Sequence, residues 1–187
     1  MTNAPTPEGR EVAIPLEQIN GIALVWSILL LVVPLLIYAA VHGDFLGLIG
    51  SMGGSWQQFL WTLGLFFLLI VAHEGCHALG WKFAGGLPWS VMSFGMKWQT
   101  LTPYAHAKGE MRADAYRIGV ILPLILTGVL PFLIALWVAH PTTAFIASVM
   151  ISAAVGDLLV LWIMRGLPPD ALVKDHPSKA GCIVVQE

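Results

Sequence analysis

The sequence predicts an all-α membrane protein of about four transmembrane helices, with a short β-hairpin or re-entrant segment between helices two and three. Three observations predict it. Of 187 residues, 57% are hydrophobic and 11% charged, and the mean hydropathy is +0.79, whereas soluble domains carry roughly 25% charged residues. Four stretches stay apolar over the roughly 20 residues that a helix needs to cross a hydrocarbon core. The one long connection between them is broken by Gly85, Gly86, Pro88 and Pro103 and has a centre of mixed polarity.

The chain opens on a polar segment, residues 1–20, with Glu8, Arg10, Glu11 and Glu17. No small-residue cleavage site follows the first apolar run where a signal peptide would have one, so that run reads as a retained helix. It covers residues 21–41, with Pro34 as a kink. A Gly-rich link, 43–55, leads to the second helix, 56–83. The long connection is 84–115, and its centre, 91–101, reads VMSFGMKWQTL. That piece is too short and too glycine-interrupted to span a bilayer, and its partial alternation suits a β-hairpin or re-entrant segment against the bundle. The third and fourth helices, 116–139 and 142–165, are joined by a tight turn at His140-Pro141. This gives a cytoplasmic N-terminal segment 1–20, a transmembrane domain 21–166 and a cytoplasmic tail 167–187, with no internal repeat.

The cytoplasmic assignment comes from the lysines and arginines. Arg10 precedes the first helix; Lys82, Lys97, Lys108, Arg112 and Arg117 flank or lie in the long connection; Arg165, Lys174 and Lys179 follow the fourth helix. The two short links carry none, which places both termini and the long connection on the cytoplasmic side of a membrane. Trp56, Trp61 and Trp137 then fall near the outer interface, and Trp81, Trp89 and Trp162 near the inner one. A net charge of −2 gives no sign of a nucleic-acid partner. Cys76 and Cys182 lie far apart in unlike surroundings, so no disulfide framework is expected.

Ionisable groups at membrane depth are costly and by default mark function. The second helix carries His73, Glu74 and His77 in the run HEGCH. Positions four apart share a helix face, so both imidazoles can present a nitrogen to one ion, while Glu74, about 100° round, can reach a water beside it. Chance would place this spacing in a chain of this composition with a probability of roughly half a percent. Cys76 is turned about 100° from His77 and points away from such an ion. A zinc site that does chemistry has three protein ligands and an open position. The fourth helix holds one carboxylate, Asp157, with Gly156 beside it to let another helix approach. Counting back from Arg165 and Lys82, Asp157 and the two histidines share a depth of roughly 8 to 14 Å from the cytoplasmic end.

This layout resembles the core of the site-2 protease intramembrane metallopeptidases. It is closer still to a family of small bacterial membrane proteins called putative zincin peptidases, formerly a domain of unknown function. AHEGCHALGW around His73, TPYAHAKGEMRADAYRIGVILP over 102–123, and SAAVGDLLVLW with DALVKDHPSKAGC up to Cys182 carry the resemblance, which covers roughly 64–184. The site-2 proteases have Asp followed by Gly in the third-ligand motif, whereas here Gly156 precedes Asp157. The resemblance implies Zn2+ held by His73, His77 and Asp157, with Glu74 as catalytic base and His106 as an accessory group near the site. It implies hydrolysis of peptide bonds in a membrane protein or peptide substrate, by a zinc-activated water. The bland alternatives make His106 a solvated loop histidine and Asp157 glue between helices, while His42, His140 and His176 read as interfacial. The tail led by Pro168-Pro169 reads as a cytoplasmic cap. Two other functions use the same residue types. A metal or proton transporter needs ionisable groups leading to both faces, but the outer halves of the helices offer only Ser148, Ser152 and Thr62. A catalytically inactive metal-binding scaffold needs the same ligands but no base.

Overall fold

The computed structural model describes residues 9–44, 47, 50, 54–98 and 102–186. The first eight residues of the predicted N-terminal segment, much of the predicted Gly-rich link and positions 99–101 of the predicted hairpin lie outside the described residues.

Among the described residues, four helical stretches are long and apolar enough to cross a bilayer: Ala23–His42, Trp56–Gly85, Ala113–Val138 and Pro141–Gly166. Their large side chains face outward in numbers that no water-facing surface tolerates, with Trp61 80% and Trp137 87% exposed. The surrounding solvent is therefore apolar, and the chain is a membrane protein by helix length and composition.

Strand β1, Arg10–Ile14, precedes helix α1, Leu16–His42. Helix α2, Trp56–Gly85, is bounded at both ends by caps. The Ser55 side chain accepts from the Gln58 N–H, and Gly86, at φ 67°, closes the helix with its N–H on the Trp81 carbonyl. The helix thus runs two residues past the predicted end at 83 and stops between the paired glycines. Strands β2, Met92–Lys97, and β3, Thr102–Ala107, pair antiparallel, Met92 opposite Ala107 and Lys97 opposite Thr102. The predicted β segment 91–101 therefore holds the first strand of a longer hairpin, its last three positions lying outside the described residues. PYAHA, read from sequence as loop, is its second strand.

Strand β4, Glu110–Arg112, runs into the third span. That span is α3, Ala113–Pro123, then a π-helical turn, Leu124–Val129, then α4, Leu130–Val138. The wide turn follows Pro123, which has no N–H to give, and the Thr127 hydroxyl donates to the Pro123 carbonyl at 2.8 Å. Pro141 starts α5, Pro141–Ala153, and the His140 ring accepts the Thr143 N–H, so the predicted turn is a capped helix start. The fourth span is not one helix. It breaks at Ala154 and resumes as α6, Val155–Ile163, whose first turn contains Asp157. A carboxylate there meets the positive end of the helix dipole.

The all-α expectation needs a correction at the polar end of the bundle. Strands β5, Leu172–Asp175, and β6, Ala180–Gln186, fold the C-terminal tail into a four-stranded sheet of order β1-β6-β5-β4. Arg10 pairs with Val184, and Arg112 with Leu172. The sheet gathers the N-terminal strand, the long connection and the tail at one end, so Arg10, Arg112 and Lys174 share it. A core of Trp81, Met111, Tyr116, Val160, Met164, Val173, Cys182 and Val184 lies where α2, α3 and α6 meet it. A second core, around Tyr38, Phe132, Ala144 and Ile151, joins α1, α4 and α5.

Candidate metal centre

His73 and His77 lie one turn apart on α2 and are 9% and 8% exposed. Asp157 on α6 faces both: its Oδ2 is 3.2 Å from His73 Nε2 and its Oδ1 3.4 Å from His77 Nε2. One ligand atom from each residue lies within 4.8 Å of the other two.

The hydrogen bonds around this cluster decide which nitrogens are available. His77 Nδ1 is 3.0 Å from the Gly119 carbonyl, which can only accept, so Nδ1 carries a proton and Nε2 is the nitrogen left to face Asp157. A proton or a metal ion on Nε2 is what joins that nitrogen to the Asp157 carboxylate. Asp157 Oδ2 and His73 Nδ1 are also buried with no hydrogen-bond partner among the described residues. An unpaired buried carboxylate oxygen is expensive, and a shared divalent cation removes the cost. Two imidazole nitrogens and a carboxylate form a donor set that suits zinc. The residues present therefore fit the metal.

Close backbone approach makes this geometry. A Cβ on Gly80 would sit 2.4 Å from Gly119 Cα, and one on Gly119 would sit 2.2 Å from the Trp81 ring. Only glycines let α2 and α3 cross so tightly that the Gly119 carbonyl reaches His77. The expectation for Gly156 is corrected here, because a Cβ there would meet open space. Gly156 borders the cavity, and the helix contact is made elsewhere. Trp81 stacks between His77 and Tyr116, with ring centroids 5.5 and 5.7 Å away, and so braces the imidazole from below.

Glu74 is half-buried beside the pair, and its Oε2 accepts the Ala105 N–H of β3 at 2.6 Å. It borders a cavity of about 820 Å³ together with His77 and Asp157 on the helices, Ser93, Met96, Trp98 and Tyr104 on the hairpin, and residues 175–181 of the tail. Cys76 is buried, is a free thiol and belongs to neither the cluster nor the cavity wall.

His106 also lines this cavity, from strand β3 and not from a loop. Its Nδ1 is 2.6 Å from Asp175 Oδ2, and Asp175 Oδ1 accepts the Tyr116 hydroxyl at 2.7 Å. His176 is corrected as well: it is buried, its Nδ1 accepts the Ser178 and Lys179 N–H groups, and its Nε2 lies 3.5 Å from Glu11. Lys179 pairs with the same carboxylate and, chiefly by that hydrogen bond, holds Glu11 below the usual carboxylate range. Burial pushes the Cys182 thiol up to about 12. Sequence reasoning missed Gly119, Tyr116 and Asp175. Gly80 and Gly119, each within an otherwise helical pattern, were the available sign of the close crossing.

No curated protein and no solved structure matches the chain. Residues 66–172, which hold the cluster and Glu74, match the family described as "Putative zincin peptidase", and the chain belongs to that family.

Proposed function

We propose that this chain is an intramembrane zinc metallopeptidase of the site-2-protease type, cutting peptide bonds in membrane proteins or peptides that reach it from the bilayer. The observation that carries the proposal is the convergence of His73, His77 and Asp157 on one point beside Glu74. Membership of a zincin peptidase family supports the same reading.

In this reading His73 Nε2, His77 Nε2 and Asp157 hold the ion. When bound, zinc lowers the pKa of a water to about 7 and polarises the substrate carbonyl. Glu74 is the base. Its Oε2 is fixed by the Ala105 N–H, which leaves Oε1 to take a proton from the attacking water and later deliver it to the leaving amine. Gly119 keeps the His77 proton on Nδ1, and Trp81 keeps the ring from turning. A substrate helix hides its amides in hydrogen bonds and must unwind locally before attack. The β2–β3 hairpin, bordering the cavity with Ser93, Met96 and Tyr104, is suited to hold the unwound piece by strand addition. Deleting the hairpin should then abolish cleavage; unchanged cleavage would refute that step. With the basic residues inside, the sheet and cavity mouth face the cytoplasm.

Glu74→Gln tests the function. A peptidase keeps its zinc and loses cleavage of membrane peptides, whereas in a metal-binding scaffold the same change alters nothing. A transporter would instead show metal or proton flux in sealed vesicles.

A further inference from the structure

Two histidines outside the metal cluster border the cavity, and their hydrogen bonds set them apart. His176 uses Nδ1 to accept two backbone N–H groups of its own turn, and its Nε2 is buried against Glu11 at 3.5 Å, closed off from any ligand. His106 gives Nδ1 to Asp175, and its Nε2 has no partner among the described residues. Asp175 is held in turn: Oδ1 accepts the buried Tyr116 hydroxyl at 2.7 Å, and Oδ2 also meets the Ala107 N–H at 3.4 Å. An imidazole fixed through one nitrogen by an anchored carboxylate, with the other nitrogen open to a cavity, is poised to meet a ligand. His106 is also next in chain to Ala105, whose N–H holds Glu74, so it lies about 3.3 Å along the strand from the anchor of the base.

We propose that His106 is a catalytic residue: its Nε2–H donates to the substrate carbonyl oxygen as negative charge builds there, while Asp175 positions the ring. The proposal rests on the metallopeptidase reading above. In this role the ring carries a proton on each nitrogen, and the Asp175 carboxylate offsets the charge. No bond to His106 forms or breaks. Water and amide still give acid and amine, with Glu74 moving the proton. Asp175 lies beyond the matched residues 66–172, so the C-terminal strand completes the site.

The test uses the full-length protein in detergent, loaded with Co2+ so that the metal site is visible in the absorption spectrum, and titrated with inorganic phosphate as a tetrahedral oxyanion. Phosphate is expected to shift the cobalt bands of the wild type. His106→Ala should weaken phosphate at least about tenfold with cobalt uptake unchanged, and Asp175→Asn should weaken it about threefold to tenfold. Glu74→Gln should not weaken it. With dye-labelled casein as substrate, His106→Ala should lower kcat about 100- to 1,000-fold and leave KM within about threefold, as for loss of one oxyanion donor. If His106→Ala misfolds, His106→Gln, which keeps one donor, replaces it and should retain part of the phosphate affinity. Cobalt bands that ignore phosphate, or phosphate affinity untouched by changes at position 106, overturn the proposal alone. A protein that takes up no cobalt, or cleaves equally well with Glu74→Gln, overturns the metallopeptidase reading and this proposal with it.

Discussion

Two carboxylate–histidine clusters face one cavity, and they are built in opposite ways. His73, His77 and Asp157 come from transmembrane helices and leave buried polar atoms, Asp157 Oδ2 and His73 Nδ1, without a hydrogen bond among the described residues. His106, Asp175 and Tyr116 come from β3, β5 and α3, and Asp175 has a donor on each oxygen. The first cluster is a donor set that could hold a cation, whereas in the second only His106 Nε2 is left without a partner among the described residues. The difference separates three groups that could share one ion from a single imidazole whose carboxylate partner is already anchored.

The sharpest way to break this comparison is to remove a ligand from each cluster and follow the metal. His73→Ala or His77→Ala should weaken zinc by more than about a hundredfold, beyond the 10- to 100-fold typical of outer-shell partners, and abolish hydrolysis. His106→Ala should leave zinc content at the wild-type level. Chelator competition reads both, and equal zinc loss from the two clusters would erase the distinction.

A smaller effect is expected where the helices cross. Gly80→Ala and Gly119→Ala push a methyl into backbone or into the Trp81 ring and should each cost about 1 to 3 kcal/mol of stability. Both should also weaken zinc about tenfold or more by moving the Gly119 carbonyl from His77. Gly156→Ala, with open space around it, should stay within about 0.5 kcal/mol. Denaturant unfolding in mixed micelles ranks the three.

Tyr116→Phe removes one donor from Asp175 and should cost about 1 to 2 kcal/mol while zinc affinity stays unchanged. A comparable effect concerns the sheet alone. The native Cys182 thiol, held near 12, keeps its proton where an unfolded thiol, at about 8.5, has lost it. The folded state then binds more protons, so stability should fall as pH rises from about 8.5 toward 12. Cys182→Ala should flatten that slope, as followed by urea unfolding at pH 8 and pH 10.

The two clusters also differ in how far they can be read from sequence. His73, Glu74 and His77 declare themselves because helical periodicity is local, and Asp157 stands out as a charge in an apolar run. Four apolar helices follow from the same kind of pattern. The sheet does not: LVKD and AGCIVVQ are too short to show a period, and their pairing joins residues from both chain ends. His106 and Asp175 are 69 positions apart, so nothing near His106 signals the carboxylate that anchors it. The break at Ala154 escaped for a different reason, since the apolar run continues through it and hydropathy carries no trace of a helix restart.

X-ray absorption at the zinc edge of the purified protein tests the central claim most directly. The account predicts a shell of nitrogen and oxygen at about 2.0 to 2.1 Å with the signature of two imidazoles, one light ligand fewer in Asp157→Ala, and no sulfur. A sulfur shell at about 2.3 Å, a spectrum unmoved by Asp157→Ala, or a wild-type protein that binds no zinc would contradict it.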